Sequence, residues 1–262
     1  MGKTAHGSLT ASLHRVRFIA AQTLGEALRL RLSVLLGLVG AMLVLMALGL
    51  RDFNFGAAEL KFIGDFGLGA IGLLGTLLAA LATAHLFFSD VTGATIGCVL
   101  TRPVRRWEYI AGKLTGMMAL LALFVAALGF LLVALIATRG AQLGAAFVPL
   151  PVFLQACALV WLKVSLVAAM TLLVCSYAGS ALFASCAGLM LAVIAQLRPF
   201  MDGSGWLAWL RLWPNLALFD AGSLLAGGGL TAASLLELAG YWAVFMLLLG
   251  GLASYVFKHR EF

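Results

Sequence analysis

In 262 residues the chain carries 63% hydrophobic and only 10% charged side chains, with a mean hydropathy of +1.09. A water-exposed surface needs far more charge than this, so a soluble domain is excluded and the solvent of most of the chain is lipid. The formal charge of +7 looks at first like a nucleic-acid signature, but the basic residues gather at the ends of apolar segments, where they report topology instead.

Each crossing of the hydrocarbon core takes roughly 20 apolar residues, which leaves room for about six crossings and modest loops. The backbone must satisfy its own hydrogen bonds in lipid, and the segments lack the polar/apolar alternation of a barrel. The expected fold is therefore all-α, a single polytopic transmembrane domain over residues 1–262.

In chain order, Leu9, Leu13, Val16, Ala20, Leu24 and Leu28 recur at helical spacing among Lys3, Arg15, Arg17, Arg29 and Arg31. This pattern predicts an interfacial helix over 9–31 that lies on the membrane. It is too long and polar for a signal peptide and no A-x-A site follows, so the start reads as mature protein. Six spans are expected at about 33–50, 66–88, 114–137, 156–176, 179–197 and 236–257, the fourth and fifth parted by a tight turn near Tyr177 to Ser180.

Lys163 is the cation placed well inside an expected span. A central Lys costs roughly 2.5–3.5 kcal/mol, and the Leu and Val around it return about 0.3–0.6 kcal/mol each, so the segment still inserts. Such a Lys either faces a translocation path or an anionic lipid group, or snorkels outward. In the fifth span Ser180, Ala184, Gly188 and Ala192 recur every four residues, giving a face on which another backbone packs closely, inside the bundle or in a second copy. Trp206, Trp209 and Trp213 form a stripe suited to a headgroup-level helix. Cys98, Cys157, Cys175 and Cys186 are scattered with no C-x-x-C pair, so no metal site is expected, and Met42 and Met46 read as lipid-facing packing.

Eleven Lys and Arg lie in the N-terminal segment, the stretch from Ser89 to Lys113 and the C-terminal tail, against five in the other loops. Both termini and the Ser89 to Lys113 loop are thus expected on the cytoplasmic face of the cell inner membrane. In that loop a short helix is ended by Pro103, which lacks a donor and turns its predecessor away from helix, before a second helix restarts. On composition alone, a basic loop obeying the positive-inside rule is the simpler account.

The residues themselves say more. Asp90 with Thr95, then Leu100, Thr101, Arg102, Pro103 and Val104, then Arg106, Trp107, Glu108 and Tyr109, then Gly112 and Lys113, resemble the signature of type-2 ABC transporter permeases. That signature reads acid, Thr, Leu, Ser/Thr, Arg/Lys, Pro-Val, Arg, aromatic, Glu and Gly-Lys. Trp213, Pro214 and Asn215, Phe219 with Asp220, and the terminal Arg260, Glu261 and Phe262 resemble one branch of the family, permeases linked to multicopper enzyme maturation. The resemblance implies an export permease for an unspecified substrate, working as a dimer with a second copy and with a separate ABC ATPase. It implies a coupling helix at 90–101 that seats in a groove of that ATPase, with Asp90, Thr95, Leu100, Arg102, Pro103 and Arg106 at the contact. It further implies a dimer interface near the fifth helix, where Ser180, Ala184, Gly188 and Ala192 stand, and a re-entrant extracellular pair within 198–234. Gly93 and Ala94 depart from relatives that carry polar or basic residues there, which bears on the strength of docking.

The chain is not expected to be an enzyme or to bind a cofactor, ATP and Mg being held by the partner. Gly2, Lys3 and Thr4 echo the end of a phosphate-binding loop without its earlier glycine or strand, and no G-x-S-x-G or H-E-x-x-H occurs. Nucleic acid is not an expected partner; membrane lipid is. The alternatives are a scaffold that anchors a soluble partner, and an ion-coupled transporter, which should place several ionisable residues in its spans where only Lys163 is expected.

Overall fold

A computed structural model describes residues 3–47, 49, 59–92, 106–143, 149–200, 213–222 and 229–258. Among these the regular structure is entirely helical: α1 (Lys3–Arg29), α2 (Arg31–Met46), α3 (Glu59–Thr92), α4 (Arg106–Leu143), α5 (Leu150–Tyr177), α6 (Ala181–Leu197) and α7 (Ala232–Lys258), with short 3-10 turns at Arg198–Phe200 and Leu216–Phe219. Five helices, α3 to α7, are long and apolar enough to cross a membrane. A sixth is reached if α1 and α2, bent by 64° at their junction, count as one span. The bend sits at Leu30, whose extended backbone (φ −64, ψ 124) interrupts the helix.

α3 and α4 are much longer than the 66–88 and 114–137 expected. At 34 and 38 residues they reach about 51 and 57 Å, well beyond a hydrocarbon core of about 30 Å. Their extensions toward the intervening loop are where the polar clusters described below form.

α5 is the axle of the bundle. It packs against α3, α4, α6 and α7, and its run from Val164 to Ser176 is buried throughout. Indole N–H groups tie neighbours to it: Trp242 of α7 donates to Ser165 Oγ (2.7 Å), and Trp161 of α5 donates to the Met118 carbonyl of α4 (3.0 Å). Both indoles are partly buried, so each N–H that loses water gains a protein acceptor instead.

The small-residue stripe of α6 packs inside the protomer. Ala184, Gly188 and Ala192 are buried, and a Cβ on Gly188 would press on Thr171 of α5, 2.9 Å from its Cγ2 and closer still to its hydroxyl. Of the four residues expected at a dimer contact, Gly188 thus meets α5, and Ala184 and Ala192 are buried within the protomer. The fourth, Ser180, is exposed and caps α6, accepting from the Phe183 amide at 3.3 Å.

Candidate functional site

Two polar clusters flank the loop between α3 and α4. In the first, the buried Glu108 near the start of α4 accepts from Arg15 of α1 through both oxygens, Nε at 3.0 Å and Nη2 at 2.9 Å, and from Ser12 Oγ at 2.5 Å. A planar guanidinium meeting a carboxylate in this two-pronged way fixes orientation as well as distance. In the second, Asp90 near the end of α3 accepts from Lys113 Nζ and Tyr109 Oη, both at 2.6 Å. Lys113 is only 2% exposed, so its charge depends on Asp90 for compensation. Tyr109 also stacks on Phe257 of α7, with ring centroids 5.8 Å apart and planes 19° from parallel.

Glycine makes the first cluster possible. A Cβ on Gly112 would stand 2.7 Å from Ile19 Cβ, and one on Gly116 would stand 2.7 Å from the Ala20 carbonyl oxygen. The backbone of α1 therefore lies directly on α4, and the four-residue spacing of Gly112 and Gly116 supplies the seat. The two clusters and this seat join α1, α3, α4 and α7 at one end of the bundle, on both stems of the loop.

At the other end a cavity of about 660 Å³ lies between α3 and α6, floored by α5 and capped by the chain from Leu216 to Gly222. Its lining is largely apolar, with Asp65, Lys163, Gln196 and Asp220 as its charged and amide-bearing members. Lys163 is half-buried in this wall, within the electrostatic reach of Asp220. Asp65 Oδ1 and Gln196 Oε1 are buried with no hydrogen-bond partner among the described residues. The capping chain is itself anchored: Tyr241 Oη of α7 accepts from the Asn215 amide (2.8 Å), and Arg198 donates to the Trp213 carbonyl (2.7 Å).

Of the residues expected to meet an ATPase, Asp90 stands in the stem cluster. Arg106 opens α4, while Thr95, Leu100, Arg102 and Pro103 lie outside the described residues, as do the side chain of Arg106 and most of the coupling segment 90–101. Trp206, Trp209 and part of 198–234 are likewise outside them. Sequence reasoning missed Asp65, because the second span was expected to begin one residue later, and it gave no partner to Arg15, which pairs across 93 positions. The signature residues Glu108, Tyr109, Gly112 and Lys113 were visible as a pattern; their work in holding the stems was not.

Within the described residues, no group of three or more His, Cys, Asp or Glu is disposed to hold a metal ion. No curated protein matches the chain. A family model described as "ABC-2 family transporter protein" matches residues 18–212, which run from α1 through α6 and beyond it, and so includes both stem clusters except Ser12 and Arg15. The chain belongs to the ABC-2 transporter family and is a multi-pass membrane permease of an ABC transporter, a role that implies an ABC ATPase as partner.

Proposed function

We propose that this chain is an export permease whose Asp90 to Lys113 loop is the coupling element that docks on the separate ATPase. The observation that carries this reading is the pair of stem clusters, Arg15 with Ser12 and Glu108, and Asp90 with Lys113 and Tyr109. A loop meant only to connect two spans has no need of stems fixed by paired charges. A loop that transmits force does, because displacement of its tip reaches the bundle only through stiff supports. On this reading, closure of the ATPases moves the loop, the stems carry α1, α3 and α4 with it, and the bundle shifts between two states through differential binding.

The excess of Lys and Arg at this end puts the loop and both termini in the cytoplasm and the chain in the inner membrane. The cavity lined by Lys163 then lies toward the outer half and forms part of the translocation path. A second permease copy completes the transporter. With Ala184, Gly188 and Ala192 buried within the protomer, α6 has Ser180 and its opposite apolar side left to offer that copy. The branch linked to multicopper enzyme maturation rests on Trp213 to Asn215, Phe219, Asp220 and the last three residues.

The test is capture. The tagged chain, purified from its native membrane, should bring down an ATPase whose hydrolysis changes several-fold on reconstitution with it. Replacing Arg102 and Pro103 together should weaken capture while leaving the thermal unfolding profile of the permease unchanged. Purification of the native chain with no ATPase would overturn the reading.

A further inference from the structure

We propose that α7 is the strut through which the loop between α3 and α4 sets the cap of the cavity, gripped through Phe257 at the stem end and Tyr241 at the cap end. The proposal rests on reading that loop as the coupling element and specifies which helix carries its displacement across the bundle.

Phe257, one residue before the end of α7, is 2% exposed. Its ring meets Phe87 of α3 in a T-shaped pair, centroids 5.9 Å apart, and stacks on Tyr109 of α4 at 5.8 Å. Tyr109 in turn donates to Asp90. Phe257 is thus wedged between the two stems of the loop, and in a close-packed interior a change in their spacing must move it. At the other end, Tyr241 Oη accepts from the Asn215 amide at 2.8 Å, and its ring centroid stands 6.1 Å from that of Phe219. Asn215 Oδ1 accepts from the Ala217 amide at 3.1 Å and so starts the turn at Leu216–Phe219. Phe219 is fully buried and lines the cavity. The set of the cap therefore depends on where Tyr241 stands.

One unbroken helix, Ala232–Lys258, joins these ends. Tyr241 and Phe257 are sixteen positions apart, a rise of about 24 Å. Met246, Leu249, Ala253 and Phe257 are buried at spacings of three and four, so α7 meets the bundle along a single face. It is also the least buried within the protomer of the five helices able to cross a membrane. A helix held along one face shifts against its neighbours more readily than α5, which is enclosed by four others, while its own hydrogen-bond ladder preserves its length. Trp242, donating to Ser165, keeps it on that axle. Movement of Phe257 is then felt at Tyr241, and by linkage a change at Tyr241 is felt at the stems.

Hydrogen exchange read by mass spectrometry tests this on the full chain in phosphatidylcholine nanodiscs, alone and with the ATPase. In the chain alone, Phe257→Ala should speed exchange of the cap amides at 215–220 several-fold, and Tyr241→Phe should do the same to the stem amides at 86–90 and 106–112. Val44→Ala, at a buried position of α2, which packs on α1, α3 and α4, should leave cap exchange as in the native chain. Effects that stay at the substituted end overturn the proposal. So does a cap loosened equally by Val44→Ala, since general softening would then carry the change. If Phe257→Ala fails to fold, Tyr241→Phe decides, and unchanged stem exchange in that variant is the contrary result. With the ATPase bound, a non-hydrolysable ATP analogue should alter cap exchange in the native complex but not in a Phe257→Ala complex that still captures the ATPase; an unaltered response in that variant is again contrary. Reciprocal effects in a chain that captures no ATPase sustain the strut and overturn the coupling reading; an ATPase-coupled complex whose effects stay local does the reverse.

Discussion

The two ends of the bundle use the same side-chain chemistry to opposite effect. At the loop end, Arg15 with Glu108 and Lys113 with Asp90 meet at 2.6 to 3.0 Å and carry further hydrogen bonds from Ser12 and Tyr109. Around the cavity, Asp65, Lys163, Gln196 and Asp220 are spread over four elements, and Asp65 and Gln196 each keep a buried oxygen without a donor among the described residues. Paired charge in a low-dielectric setting holds geometry, because breaking the pair strands an ion. A buried polar atom with no donor among the described residues leaves that side chain free of such a clamp. The contrast separates an end clamped by paired charge from a cavity whose polar side chains stand apart.

The sharpest way to break that contrast is to remove one carboxylate from each end. Asp90→Ala leaves Lys113 buried without compensation and should destabilise the permease by about 3–5 kcal/mol, read as a large drop in its thermal unfolding midpoint. Asp65→Ala should leave the midpoint unchanged or raise it, because a carboxylate with an unpaired oxygen is removed. Equal losses from the two variants would dissolve the distinction.

A smaller effect is expected where apolar packing alone is at stake. Gly188→Leu forces a side chain into Thr171 and should cost about 1–3 kcal/mol as an overpacked contact, measured on the monomeric permease. A variant whose monomer is unaffected while a dimer dissociates would move the stripe from the interior of the protomer to an interface.

Glu108→Gln should cost less than Asp90→Ala, since Arg15 keeps access to water when its partner loses charge. Its difference from the native chain should also shrink as salt rises, because a pair with one water-facing member is screened; salt titrations of the two unfolding midpoints check this. The smallest change in stability belongs to Lys163→Met. Its midpoint should hold or rise slightly, since a half-buried cation gives way to an apolar chain of similar length, while ligand-stimulated ATP hydrolysis changes. A variant with native stimulation would return Lys163 to a bystander.

Much of this architecture was legible in the residues. Apolar length led to six crossings, against five helices able to cross and a sixth only if α1 and α2 count as one span, and the stripe on α6 was recognisable as a packing face from its four-residue period. Its partner was not, because small residues admit any backbone, and only the position of Thr171 shows that α5 takes the place. The long extensions of α3 and α4 escaped because hydropathy reports where lipid ends, whereas a helix continues as long as its side chains find partners. Asp65 was lost through the same boundary error: a span begun at 66 puts an acidic residue harmlessly in a loop. The pairing of Arg15 with Glu108 joins residues far apart in the chain, and no local pattern announces it. Lys163 stood out in the sequence as a cation within a span, but periodicity could not say whether it met lipid or the cavity it lines.

The claim on which the account turns is that the loop between α3 and α4 is the cytoplasmic contact for the ATPase. A permease freed of its native cysteines, with Thr95→Cys as the single thiol, is exposed in intact cells to a membrane-impermeant maleimide, and in inverted vesicles to a short bifunctional crosslinker in the presence of the ATPase. The account predicts no labelling from outside the cell and a covalent permease–ATPase product in the vesicles. Labelling of position 95 from outside, or vesicles in which the ATPase is bound yet never trapped, would contradict it.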